Sequence, residues 1–286
     1  MFDLIKIDPK FKYIFKCIIV NNKKRSFMKN QDTAVCVVAN FKYIYKNFDR
    51  IINQLRNSGN YSGDVLIISN IFSPTFLIKS VRNDSKVKVF RFKRIKFNKE
   101  THQTLKNLIP KPSRHVTKNF QWQKLYLFHR KLKKWKYIFY LDINMNIHHD
   151  INPILNVRPK KEIYARADGF PTYTWKLSSQ FDNSHKLFKK LREEYDLDSK
   201  NYFQTGVLYF DTDIIENETI SNILKLINQY PISITNEQGI LNIYFMYIKK
   251  QYSHLIEDID KKLSYFYWKL PDKEVIITKS TVEQFK

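Results

Sequence analysis

The chain has 286 residues, 43% of them hydrophobic and 15% aromatic, which excludes a disordered polypeptide and suits one large α/β domain or two small ones. Its 50 Lys and Arg against 27 Asp and Glu leave a net charge of +23, the balance of a protein with an anionic partner: nucleic acid, a phosphate-bearing small molecule, an acidic glycan or a membrane surface. AT-rich coding produces the same excess of Lys, Asn, Ile, Phe and Tyr and the same shortage of Gly (5 residues), so the charge is permissive evidence only.

In chain order, residues 1–30 read as an N-terminal extension that ends in the polar connector NNKKRSFMKN. Lysines interrupt its apolar run and no small-residue cleavage site follows, so a secretory signal is not expected. Residues 31–286 then read as a single domain. TAVCVVAN (33–40) is a β-branched apolar run, a central parallel strand by composition. Residues 43–57 carry Ile44, Phe48, Ile51, Ile52 and Leu55 at helical spacing. Strands over 64–70 and 86–92 flank a predicted helix over 74–83. Residues 93–120 look irregular and basic.

A helix is expected over 120–135, burying Trp122, Leu125, Phe128 and Leu132, and it feeds an apolar strand over 137–141. Later strands are expected at 162–168, 202–211 and 273–279, and helices at 185–195, 220–230 and 235–248. Strand and helix alternate, which implies right-handed βαβ crossovers and a mostly parallel sheet flanked by helices, a Rossmann-like α/β architecture. There is no internal repeat and no run of about 18 apolar residues. Cys17 and Cys36 are too few for a disulfide framework or a zinc cluster; reduced thiols suit a cytoplasmic protein.

In open α/β sheets ligands bind beyond the carboxyl ends of the strands. Three polar strand ends fall there: Asn40, the pair Asp142 and Asn144, and Asp168. If the strand at 137–141 continues, Asp142 and Asn144 share a face and could hold a hard cation; the same residues also suit the start of a turn. Gly169, Gly206 and Gly239 follow or accompany the proposed rim, where backbone can approach a ligand closely.

The order VVANFKY, WQKLYLF, YLDINMNI, ARADG, YFQTGVLYFD, NEQGILN resembles the nucleotide-sugar glycosyltransferases of the GT-A type, most nearly the glycogenin-like family 8, over roughly residues 33–245. The resemblance implies a GT-A-like domain that moves a sugar from a nucleotide donor, a UDP-sugar first among them, to a hydroxyl on a glycan or protein acceptor, with retention of configuration. It implies that Asn40 and Tyr43 hold the base, Tyr43 by stacking, and that Lys124 reaches the diphosphate. Asp142 and Asn144 stand where the family's Asp-x-Asp binds manganese or magnesium, which offsets charge on the departing diphosphate.

Asp168 would contact the donor sugar, and Gln204, Thr205 and Gly206, standing where the family has Asn-Ser-Gly, would line its pocket. Glu237 and Gln238 stand where the family has Asp-Gln near the reacting face. Asn144 is a departure, since an amide ligates without charge. The family's late His-x-x-Gly-x-x-Lys-Pro-Trp motif, source of its third metal ligand, has no counterpart; Lys279 offers a cation for the diphosphate instead. His148 and His149 read as loop residues. Two rivals remain: a binding protein that keeps the pocket without turnover, and a nucleic-acid binder argued from charge alone, for which no recognised module is present.

Overall fold

The structure, a computed structural model, describes residues 32–108, 120–168, 175–255, 263–264 and 275–279. The proposed extension, Cys17 and Gly169 lie outside the described residues. A seven-stranded sheet forms the centre, in spatial order β3-β2-β1-β4-β7-β6-β8. These strands are β1 (Thr33–Val38), β2 (Asp64–Asn70), β3 (Val87–Phe92), β4 (Tyr137–Leu141), β6 (Ile163–Ala167), β7 (Phe203–Asp211) and β8 (Tyr252–His254). Apolar clusters cover both faces. Val35, Val37, Ile67 and Phe139 pack on one side with Phe48 and Ile51 of the helix Phe41–Arg56. Cys36, Leu66, Ile138 and Tyr140 pack on the other with Trp122 and Phe128. A strand buried on both faces has no polar side to show, which is why these runs read as unbroken apolar stretches.

The expected mostly parallel, helix-flanked α/β architecture is the observed one, with one reversal that matters for the site. β1 pairs in parallel with β2 and β4, and β2 with β3, but β7 runs antiparallel to both β4 and β6. Its beginning, not its end, therefore lies at the rim where β1 and β4 finish. The short strands β5 (Met145–Ile147), β9 (Leu263–Ser264) and β10 (Ile277–Lys279) form a second sheet. The expected last strand is thus outside the central sheet, and β10 lies antiparallel against β5, just past Asp142.

Residues 120–135 do not make one α-helix. They form two 3₁₀ segments, Trp122–Phe128 and Arg130–Lys134, separated by His129 in extended geometry. Trp122, Leu125 and Phe128 are three apart, the repeat of a 3₁₀ helix, and all are buried. Gln123 and Lys124 are buried as well and Tyr126 is half-buried, so Trp122–Phe128 lacks the broad solvent face of an amphipathic helix. Residues 74–83 shorten to a 3₁₀ turn, Thr75–Leu77, and a single turn of helix, Lys79–Asn83. The helix expected over 235–248 is α-helical over Glu237–Asn242 and π-helical over Ile243–Ile248. Within the stretch expected to be irregular, Asn98 caps a helix over Lys99–Asn107 by accepting from the Thr101 amide.

Candidate active site

The rim site begins with β1. Its chain leaves the sheet at Asn40, whose side chain accepts from the Tyr43 amide at 3.1 Å and caps the helix Phe41–Arg56. Capping occupies Oδ1 of Asn40 and sets Tyr43, 38% exposed, on the first turn. Asn40 and Tyr43 line a cleft of about 190 Å³ together with Gln121, Lys124, Asp142, Asn144 and Lys279.

The β4 end decides between the two readings of Asp142 and Asn144. The strand stops at Leu141, and the Met145 amide bonds back to the Asp142 carbonyl at 3.0 Å. Asp142 therefore opens a tight turn, and Asn144 does not share a strand face with it. Both still reach the cleft, because the turn carries the chain directly into β5. The Asp142 amide is anchored by the Gly206 carbonyl at 2.8 Å, so Gly206 serves through its backbone. Among the described residues no glycine has positive φ. Gly239 is needed for packing: a Cβ there would meet Ser233 Oγ at 2.8 Å and Phe181 Cζ at 2.9 Å.

Lys124 joins the parts. Its ammonium lies 3.1 Å from Asp142 Oδ1, 2.8 Å from Glu237 Oε1 and 3.2 Å from the Thr205 carbonyl. Three acceptors match the three donors of an ammonium. Burial acts to lower the Lys124 pKa, but the charges of Asp142 and Glu237 prevail and hold it above the ordinary lysine range. The Tyr140 hydroxyl donates to the same Asp142 Oδ1 at 2.5 Å; burial first, and Asp142 second, push this phenol well up, so it stays a neutral donor. Both contacts fall on Oδ1, and Oδ2 is the oxygen left to meet a ligand. Glu237 is 2% exposed, with Oε2 buried and without a hydrogen-bond partner.

A second network adjoins it. Gln238 donates to Asp168 Oδ2 at 3.2 Å and to Gln180 Oε1 at 2.9 Å, and accepts from the Thr205 amide at 3.2 Å. The Thr205 hydroxyl donates to Glu237 Oε1 at 3.0 Å. Tyr202, Gln204 and Gln238 act to lower the pKa of Asp168, as does the charge of Lys279. Burial nonetheless dominates and raises its pKa. Oε1 of Gln204 is buried without a partner. Asn236, with φ 56°, turns the chain immediately before Glu237 and so aims the first residues of that helix at the network.

The structure thus gathers Asn40, Tyr43, Lys124, Asp142, Asn144 and Lys279 around one cleft, and ties Asp168, Gly206, Glu237 and Gln238 to it through hydrogen bonds and the Lys124 ion pair, with Gln204 next to Thr205 on β7. Tyr140 and Gln180 were not among the expected site residues, whereas Thr205 was expected at the donor pocket beside Gln204 and Gly206. Tyr140 could have been found, since it lies two residues from Asp142 on a strand and so points the same way. Gln180 carries no comparable signal. Asn146 instead accepts from Arg50, and Asp150 from the Asn152 amide at 2.8 Å. His148 meets Thr278 Oγ1 at 2.7 Å, and His254 accepts from the Ala167 amide at 3.2 Å. Among the described residues no group of three His, Cys, Asp or Glu could enclose a metal.

No protein-family model matches the chain, and no curated protein does. Solved structures do match. The WbbM bifunctional glycosyltransferase superposes with a TM-score of 0.56 at 15% identity, over 87% of this chain and 46% of that one. The galactosyltransferase LgtC, solved with donor and acceptor sugar analogues, gives 0.55 at 12% identity over 86% of each chain. Mouse xyloside xylosyltransferase 1 gives 0.51 at 11% identity, over 87% of this chain and 97% of that one. The chain spans about half the length of WbbM and nearly all of the other two. At such identities the likeness establishes the architecture: these glycosyltransferases and this chain share the GT-A-like α/β fold.

Proposed function

We propose that the protein transfers a glycosyl group from a nucleotide-sugar, with UDP-sugars as the first candidates, to a hydroxyl acceptor on a glycan or protein. One observation carries the reading: the buried Lys124 bridge that holds Asp142 and Glu237 together beside a cleft lined by Asn40, Tyr43, Asn144 and Lys279. A glycosyl donor needs a base platform, charge to meet a diphosphate, and acids or amides around the sugar. Tyr43 offers a stacking face, a contact type worth about 1–3 kcal/mol per base. Lys279 supplies positive charge. Lys124, already engaged by three acceptors, fixes the positions of Asp142 and Glu237 and adds to the field at the departing diphosphate. Asp168, Gln204 and Gln238 orient the sugar, and Glu237 lies beneath its reacting face, where charge matters as the glycosidic bond breaks with retention of configuration.

The donor set suits a hard divalent cation in part. Asp142 Oδ2 and the Asn144 amide oxygen are hard ligands, and magnesium commonly takes one or two protein oxygens plus substrate phosphates. Manganese or magnesium held there would offset charge on the leaving diphosphate.

The test is release of nucleoside diphosphate from a panel of UDP- and GDP-sugars, with and without manganese. Release that vanishes in Asp142→Ala supports the proposal; release unchanged by that substitution overturns it. A second reading, a non-catalytic nucleotide-sugar or glycan binder, is favoured by Asn144 in place of an acid. It predicts tight donor binding with no release at any metal concentration.

A further inference from the structure

Beside the cleft the surface changes character. The loop after β2 exposes Ile71 (42%), Phe72 (87%), Phe76 (62%) and Leu77 (49%). Solvent-facing aromatics on a loose loop would mean little, but this loop is braced. The Phe72 amide is held by Asn70 Oδ1 at 3.0 Å, Arg91 donates to Thr75 Oγ1 at 2.5 Å, and Arg82 donates to the Phe76 carbonyl at 3.2 Å. The fold holds the two rings out in water at a real cost.

Next to them a hollow of about 780 Å³ has apolar walls at Phe41, Ile71, Phe72 and Pro74 and a basic wall at Lys93, Arg94 and Lys96. Among the described residues that line the hollow there is no Asp or Glu; Asp49 accepts from Ser80 and Asp84 pairs with Arg56. Asn40 lines the cleft and its neighbour Phe41 lines the hollow, so the two share one rim.

We infer that this rim docks on an anionic lipid surface, with Phe72 and Phe76 entering the headgroup–acyl boundary and Lys93, Arg94 and Lys96 meeting the lipid charge. Charge complementarity selects this occupant. A protein groove would satisfy the rings but gives no reason for basic residues without a single acid between them, and nucleic acid would satisfy the charge but not four protruding aliphatic and aromatic side chains. Interfacial binding uses both terms at once. The orientation it imposes turns the mouth of the cleft toward the bilayer, so the acceptor hydroxyl would be lipid-borne. The docking itself does not depend on the transfer chemistry and is tested apart from it.

The experiment is co-sedimentation of the full chain with phosphatidylcholine vesicles, with or without 30% phosphatidylserine. Wild type is expected to bind the anionic vesicles and not the neutral ones. Phe72→Ser with Phe76→Ser should weaken binding about tenfold or more. Lys93→Gln, Arg94→Gln and Lys96→Gln together should weaken it about a hundredfold, and Phe72→Trp should show a blue-shifted emission on anionic vesicles only. All of these positions lie outside the cleft, so nucleoside diphosphate release in solution should persist. Absence of vesicle binding, or binding that both sets of substitutions leave intact, overturns the inference; the second outcome places the membrane contact elsewhere on the chain.

Discussion

Lys124 is the residue on which the site turns. Its side chain is 8% exposed and that of Glu237 3%. Removing one member of such a pair strands the other charge in the interior. Lys124→Met should lower the unfolding free energy by about 3 kcal/mol in denaturant titrations, and adding Glu237→Gln should restore much of it. A loss that the second substitution leaves unchanged would assign the cost to packing. Asn144 makes a different prediction. Asn144→Asp adds a charged hard ligand beside Asp142, so the manganese concentration that half-saturates donor turnover, or calorimetric metal binding, should fall about tenfold.

Asp168 has its pKa raised by burial. A carboxyl whose folded pKa lies above its unfolded value contributes stability that is complete below the unfolded pKa, near 3.8, and is lost as pH rises through the folded pKa. The stability of Asp168→Asn relative to wild type should therefore increase between pH 4 and 7. A difference that stays flat over that range would contradict the placement of Asp168 in a desolvated pocket.

The strand β7 reaches the rim only because it runs backwards, and one side chain pins its start. Asn242 accepts from the Phe203 amide at 2.7 Å and donates to the Phe203 carbonyl at 2.8 Å, with no solvent exposure. Asn242→Leu leaves two buried backbone groups unpaired and should cost about 3 kcal/mol. Because Gln204, Thr205 and Gly206 follow directly, donor binding should weaken along with stability. Gly239→Ala, which drives a methyl toward Phe181, should be destabilising by about 1–3 kcal/mol. The strands at β1, β2, β4 and β7 could be read from their apolar runs, and the helix Phe41–Arg56 from its spacing, since burial on both faces or on one stripe leaves a direct imprint on composition. The segment 120–135 could not be assigned so easily. Its apolar residues at three-residue intervals fit a 3₁₀ repeat, but they also fit one face of an α-helix, and only the space beneath the sheet separates the two.

At the level of the molecule, two apolar clusters on opposite faces share one seven-stranded sheet, and the described helices do not include one long and apolar enough to cross a membrane. With a net charge of +23, the protein should be retained by generic duplex DNA at low salt, with affinity falling steeply and without sequence preference as salt rises.

Composition and local periodicity were enough to reveal an α/β chain with its core strands and its polar strand ends, because those signals depend on each residue and a few neighbours. Three things needed the folded chain: the reversed direction of β7, the turn at Asp142, and the union of Lys124 with Asp142 and Glu237. The first and last are set by hydrogen bonds and ion pairs between segments far apart in sequence, and the local turn at Asp142 is anchored by the distant Gly206 carbonyl, so the pairing energy that selects them exists only after the sheet has brought those segments together.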